Sequence, residues 1–247
     1  VKNSMGAPVA DATIKVSETS DEGKTDSSGR YSFMMENPGV YHVNVEKSGF
    51  TPKSVSIEAI GELNIVINPA TVELGRETKI TVTDSKGIPQ TAKIMITGPD
   101  GESESFTAQE KKYAPQTVGE YMISVEKDYY IGVSGDVKAI PRELDVKSTL
   151  TDGVLTLNAT SHGQPLEGLN LKVTLPTAKT VNVKTNKQGV ATVKVMDEGN
   201  YTIAATPTGY VPVTRTVNYS KGFTGGSLLK ILAVLAGLAV VAALVIA

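Results

Sequence analysis

The chain has 247 residues, with 24 Lys and Arg against 26 Asp and Glu, so its net charge is −2. This balance gives no electrostatic reason to expect binding to nucleic acid, which normally requires a basic stripe or patch. The absence of cysteine excludes disulfides, thiolate nucleophiles and Cys-ligated metal sites.

Ordered sequence markers recur three times along the chain. A Gly-x-Tyr triplet is followed, eleven residues after its glycine, by an aromatic residue. The three triplets begin at Gly39, Gly119 and Gly199, and the aromatic residues are Phe50, Tyr130 and Tyr210. A Gly-x-Pro triplet precedes each of them, at Gly6, Gly87 and Gly163. Markers that keep their order at a spacing of about 80 residues indicate tandem copies of one domain.

Apolar and polar residues alternate between these turn signals. The alternating apolar positions after the Gly-x-Tyr glycines are Tyr41, Val43 and Val45, then Tyr121, Ile123 and Val125, then Tyr201, Ile203 and Ala205. Period two over short runs is typical of half-buried antiparallel strands. The sequence therefore predicts an all-β chain of three small antiparallel sandwiches in tandem.

We place these three domains at residues 1–69, 70–141 and 142–221, because the prolines after Asn68 and Ile140 end β runs. The first repeat differs from the others at its start. Residues 79–83 and 154–158 are strand-like and precede the Gly-x-Pro turn of repeats two and three, whereas repeat one has only Val1–Asn3 there. We therefore expect its first strand to be cut short and further sequence to precede Val1, and the number of modules before Val1 stays open.

The first repeat carries four motifs in order. They are Gly6-Ala7-Pro8, Thr25-Asp26-Ser27-Ser28-Gly29-Arg30-Tyr31-Ser32-Phe33, Pro38-Gly39-Val40-Tyr41 and Gly49-Phe50. This pattern resembles the carboxypeptidase regulatory-like family, which implies β-sandwiches of the Ig-like or transthyretin-like type. The third repeat has a weaker version, with Asn186 in place of the aspartate, and the second has lost the middle turn. The resemblance implies non-catalytic sandwich modules, which serve as spacers, adhesion units or folding companions in extracellular, periplasmic and lumenal proteins.

Several of the motif residues have a predicted structural role. Tyr41, Tyr121 and Tyr201 are candidates for a tyrosine corner, in which a buried ring places its hydroxyl on a backbone group. Asp26 is suited to accept backbone N–H groups within its own turn. Gly6 and Gly29 are expected at positive φ.

The sequence offers no constellation for catalysis, metal binding or cofactor binding. His42 and His162 lie in different repeats, no His-x-x-Glu zinc pair is present, and Ser161 and His162 are adjacent on a turn. No loop has the spaced aspartates of a calcium site. We therefore predict no enzyme activity and no cofactor, and a small-molecule ligand is not expected.

Two kinds of surface site remain as candidates. Tyr129 precedes the core-equivalent Tyr130 and is therefore a candidate protein contact. Three Asn-x-Ser/Thr sequons begin at Asn158, Asn200 and Asn218. They are candidate N-glycosylation sites if the chain is exported.

The end of the sequence predicts a membrane anchor. Residues 228–247, LLKILAVLAGLAVVAALVIA, contain one charge, Lys230, and are long enough as a helix to cross the hydrocarbon core of about 30 Å. The preceding residues 222–227 include Gly225 and Gly226, which suit a joint. Small residues suited to helix packing recur at Ala233, Gly237, Ala239 and Ala243. An alternative for this stripe is an alanine-rich helix without a partner.

These features predict a single-pass membrane protein whose modules lie on the cell-surface or lumenal side. Its expected function is that of a non-enzymatic stalk for adhesion, presentation or scaffolding. The expected partners are membrane lipid through Leu228 to Ala247, and other proteins through self-assembly or a membrane complex. Two alternatives stay open: an accessory subunit of a larger membrane complex, and the regulatory modules of an enzyme whose catalytic domain lies upstream.

Overall fold

The computed structural model describes residues 1–221, and within this range it contains 21 β-strands and no helix. Consequently none of the described residues forms a helix that could span a bilayer. The predicted membrane segment 228–247 lies outside the described residues. The described residues divide into two compact units, one that ends at Ala139 and one that begins at Ile140.

Module one, residues 1–59, is built on one four-stranded sheet. Its strands are β1 (Thr13–Val16), β2 (Glu22–Lys24), β3 (Gly39–Glu46) and β4 (Lys53–Ala59), in the order β2-β1-β3-β4. Ile14, Val16, Tyr41 and Val43 form a small buried core on one face of this sheet. Tyr31 and Phe33 pack against that core from a segment without regular strand structure.

Module two, residues 61–140, is a sandwich of two sheets. Its strands are β5 (Gly61–Asn68), β6 (Thr71–Glu73), β7 (Thr78–Asp84), β8 (Ala92–Thr97), β9 (Ser103–Ala108), β10 (Glu110–Tyr113), β11 (Gly119–Glu126), β12 (Tyr130–Ile131) and β13 (Val133–Ile140). The sheet orders are β10-β7-β5-β12 and β6-β13-β11-β8-β9. Alternate residues of β7, β8 and β11 fill the core between the sheets, as the period-two pattern predicted.

Module three, residues 142–221, repeats the sandwich in the second unit. Its strands are β14 (Asp145–Thr151), β15 (Val154–Ser161), β16 (Gln164–Pro165), β17 (Asn170–Thr174), β18 (Thr180–Lys184), β19 (Val190–Lys194), β20 (Gly199–Ala205) and β21 (Val213–Tyr219). One sheet runs β14-β15-β16, with β19 also paired to β15, and the other runs β18-β17-β20-β21. The all-β prediction of several small sandwiches is therefore confirmed.

The strand pairing places the start of module two before Pro69, whereas the sequence analysis placed it after that residue. β5 pairs antiparallel with β7 from Leu63↔Asp84 to Asn68↔Lys79, so it belongs to the sheet of module two. After Pro69 the chain passes into β6, which lies in the other sheet of the same module. The proline thus marks a change of sheet within a module, because a residue without N–H interrupts a ladder without ending a domain.

This pairing leads to a prediction about two fragments. Residues 61–140 should fold alone, with a cooperative thermal transition in circular dichroism. Residues 70–141 should not, because they lack β5, its pairing with β7 and the buried Leu63. A domain of this size is stabilised by only about 5–15 kcal/mol, so loss of a whole strand should unfold it. Cooperative folding of both fragments would contradict the assignment of β5.

Candidate functional site

The three predicted tyrosine corners are present. In each module the tyrosine hydroxyl donates to the carbonyl of the residue four positions earlier: Tyr41 to Asn37 at 2.6 Å, Tyr121 to Thr117 at 3.0 Å and Tyr201 to Asp197 at 2.8 Å. The amide of that same residue donates back to the hydroxyl. The rings are buried, so each corner fixes the loop that leads into its strand.

Side-chain oxygens also close the tight turns. The Asp26 carboxylate accepts the amides of Ser28 at 2.8 Å and Arg30 at 2.9 Å, as predicted. Asn186 closes the equivalent turn of module three in the same way. The backbone hydrogen bond from Arg30 holds the pKa of Asp26 below its usual value, because it favours the charged carboxylate.

A buried threonine precedes each of these two turns, and its role was not identified from the sequence. The Thr25 hydroxyl donates to the carbonyl of Val9 at 2.7 Å and accepts the amide of Ala12 at 2.9 Å. Thr185 likewise accepts the amide of Leu169 and donates to the carbonyl of Leu166. The threonine of the Thr-Asp-x-x-Gly motif could have predicted this role, since a small hydroxyl can both donate and accept a hydrogen bond inside a core.

Each histidine lies beside a carboxylate of its own module. The Nδ1 atom of His42 is 2.6 Å from Glu18 Oε1, and the His42 amide donates to the other oxygen of that carboxylate. Hydrogen bonding from the His42 side chain lowers the pKa of Glu18. His162 Nδ1 is 3.6 Å from Glu143. The Ser161 hydroxyl donates to the Glu143 carbonyl at 2.7 Å.

Module one carries a shallow, open groove of about 500 Å³ next to the Glu18 carboxylate. It is lined by Glu18, Thr19, Ser20, Asp21, Met34, Glu36, Asn37 and Tyr41. Of these, Glu18 is engaged by His42 and Tyr41 by its corner. Among residues 1–221, no three His, Asp or Glu side chains are arranged to hold a metal ion.

Tyr129 occupies an unusual backbone position. It has φ of 63° in a turn where modules one and three have glycine, Gly49 and Gly209, at φ of 82° and 79°. Tyr129 is 43 % exposed, and its carbonyl accepts the Gly61 amide at 2.9 Å. A non-glycine residue at positive φ costs about 1 kcal/mol. Tyr129 therefore occupies a backbone conformation that is unfavourable for a residue with a side chain.

The three sequon asparagines are exposed on strands of module three. Asn158 lies on β15 between two buried neighbours, Leu157 and Ala159. Asn200 and Asn218 face each other across β20 and β21, and Asn218 Nδ2 donates to Asn200 Oδ1 at 2.8 Å. They stay candidate glycosylation sites. The predicted packing residues Ala233, Gly237, Ala239 and Ala243 lie outside the described residues.

Residues 1–80 match the carboxypeptidase regulatory-like domain family. The N-terminal part of the chain is therefore such a domain, and the resemblance predicted from its motifs is confirmed there. The matched range covers module one, β5, β6 and the start of β7. No curated protein sequence matches the chain.

Three solved structures are similar to the chain at low identity. A two-domain fibronectin type III segment of chicken tenascin is 10% identical, with 64% of this chain and 99% of that chain covered and a TM-score of 0.36. Three N-terminal domains of the bacteriophage RB49 outer capsid protein Hoc are 15% identical, with 87% and 88% covered and a TM-score of 0.33. A Ca²⁺-stabilised adhesin of an Antarctic bacterium is 12% identical, with 85% and 64% covered and a TM-score of 0.22.

The buried threonines give a prediction with an internal control. Thr185→Val keeps the shape of the side chain but leaves the Leu169 amide and the Leu166 carbonyl without their partner. We expect it to lower the free energy of unfolding by about 1–3 kcal/mol, measured by urea denaturation. Thr185→Ser keeps the hydroxyl and should retain most of that stability. Full stability of Thr185→Val together with a loss in Thr185→Ser would show that the methyl group, not the hydroxyl, is what matters.

Proposed function

We propose that this protein is a non-enzymatic stalk of tandem β-sandwich modules, anchored by residues 228–247 and exposed on the extracytoplasmic side of a membrane. There it serves in cell-surface adhesion, presentation or scaffolding. The observation that carries this proposal is the repetition of one structural unit, in which the same tyrosine corner recurs at Tyr41, Tyr121 and Tyr201. Such repetition supports a spacing or display role.

The distribution of polar contacts supports the same proposal. In the described part of the chain, the side chains that the motifs single out form bonds within their own modules: Asp26 and Asn186 to turn amides, Thr25 and Thr185 to buried backbone groups. These bonds stabilise individual sandwiches. The long apolar segment 228–247, with its single Lys230, supports attachment of this array to a bilayer.

The proposal predicts both the attachment and the sidedness of the modules. Alkaline carbonate should leave the full chain in the membrane fraction of its native cells, whereas a variant ending at residue 221 should be released. Protease added to intact cells should digest residues 1–221 while a cytosolic marker stays whole. Release of the full chain by carbonate would contradict the anchor, and complete protection from protease would contradict the cell-surface location.

A second function, as an accessory subunit that docks on a larger membrane complex, is favoured by Tyr129. Its exposed ring is held at positive φ where the other modules have glycine. A residue that opposes the local backbone preference is expected where its side chain is needed for contact.

Tyr129→Gly separates this role from folding. The variant should be as stable as the parent or more stable by about 1 kcal/mol, because glycine removes the strain at positive φ. If Tyr129 is a docking residue, proteins that co-purify with the chain in mild detergent should be lost. The control is Met122→Thr, which changes an exposed residue on the nearby strand β11. This variant should retain the co-purifying proteins. Unchanged co-purification with Tyr129→Gly would exclude docking through this ring.

A further inference from the structure

A single residue joins modules one and two. β4 ends at Ala59 and β5 begins at Gly61, so only Ile60 lies between the two strands. Ala59 is paired with Gly39 in the sheet of module one, and Gly61 is paired with Tyr130 in a sheet of module two. The backbone is therefore held in a ladder on both sides of the link, which leaves it far less freedom than a flexible linker would have.

A proline of module one lies directly against the backbone of Gly61. A Cβ atom at Gly61 would be 2.5 Å from Cγ of Pro38 and 2.8 Å from Cε1 of Tyr130. Carbon atoms in favourable contact are about 3.5–4.0 Å apart, so no side chain fits at this position without a shift of its neighbours. The glycine thus allows Pro38 to contact the first residue of module two.

A hydrogen bond joins the same part of module one to a turn of module two. The Lys86 ammonium donates to the carbonyl of Glu36 at 3.0 Å. Lys86 lies in the turn after β7, where the Asp84 carboxylate accepts the amides of Lys86 and Ile88 at 2.9 Å each. The Ser85 amide of this turn donates to a carbonyl of β5 at 3.1 Å. The turn that presents Lys86 is therefore itself fixed to the first strand of module two.

The tyrosine corner of module one holds the loop that makes both contacts. We call residues 36–38 the junction loop, since they supply the Glu36 carbonyl and the Pro38 ring. The residue between these two, Asn37, exchanges two backbone hydrogen bonds with the Tyr41 hydroxyl, at 2.6 and 3.3 Å. The Tyr41 ring is buried, so it fixes the junction loop from within the core of module one. The corner therefore sets the position of the surface that contacts module two.

We propose that the junction loop holds modules one and two in one fixed orientation, and that the Tyr41 corner controls this joint. Relative motion is the usual expectation for neighbouring domains with a small interface. Here the one-residue link, the contact of Pro38 with Gly61 and the bond donated by Lys86 act together, so rotation about the link would break at least one of these contacts. This inference concerns the arrangement of the first two modules and does not depend on the proposed function.

The distance between two spin labels in the full chain tests the proposal. Because the chain has no cysteine, Ser54→Cys and Ser105→Cys place one label on each module, at exposed positions of β4 and β9. Double electron–electron resonance on the full chain in detergent micelles, diluted with unlabelled chain, should give one narrow distance distribution. A broad distribution would overturn the proposal, because it would show that the two modules reorient freely.

Tyr41→Phe tests whether the corner controls the joint. This variant removes the hydroxyl that bonds Asn37 but keeps the ring, so module one should stay folded while the narrow distance distribution is lost. Tyr201→Phe is the matched control, because it removes the same corner from module three and should leave the distribution narrow. Circular dichroism of both variants checks that the strand content is retained. An unchanged distribution in Tyr41→Phe, or equal broadening in both variants, would reject control by the corner.

A double variant keeps the proposal testable if Tyr41→Phe does not fold. Pro38→Ala combined with Lys86→Met removes both contacts of the junction loop with module two and should broaden the distribution. The matched control is Pro99→Ala combined with Lys93→Met. It changes one proline and one lysine whose described neighbours, Gly119 and Glu126, belong to module two, and it should keep the distribution narrow. A narrow distribution in the first double variant would reject the junction loop as the restraint.

Discussion

The modules depend on a tyrosine that lies near the start of one strand in each of them. In β3, β11 and β20 this residue buries its ring and bonds its hydroxyl to the loop four residues earlier. In modules two and three that loop carries the chain from one sheet to the other, so its backbone groups leave one ladder before they enter the next. A buried polar group without a partner costs more than a typical hydrogen bond contributes, so the corner makes the crossing possible. The register of the following strand is fixed by the same residue, because its phase decides which side chains face the core.

Much of the fold follows from the sequence because these constraints are local. Alternation after Tyr41, Tyr121 and Tyr201 predicts the buried face, and turn chemistry predicts the roles of Asp26 and the corners. The start of module two could not be predicted from such local patterns. The sequence around Pro69 does not show whether the strand before it pairs with module one or with module two. Only the ladder between β5 and β7 assigns that strand to module two. The role of Thr25 depends on groups 13 and 16 residues away, which no local pattern brings together.

For the candidate sites, too, some properties could be predicted from the sequence and others required the structure. Exposure of Asn158, Asn200 and Asn218 follows from strand phase, since each alternates with apolar neighbours. The cross-strand pairing of Asn200 with Asn218 depends on the register between β20 and β21, which the sequence does not state. Tyr129 was singled out by its position beside Tyr130, but its backbone conformation became meaningful only when its turn was compared with those of Gly49 and Gly209. Because the modules repeat one unit, the equivalent residues of the other modules show which position is unusual.

That comparison also separates structural from functional positions. A residue that recurs at the same place with the same bonds, such as the corner tyrosine, is explained by the needs of a small sandwich with a limited core. A position where one module departs from the other two needs a separate physical reason. Tyr129 departs in this way, because it has positive φ and an exposed ring where the other modules have glycine. That departure is the basis for the proposal that Tyr129 is a protein contact.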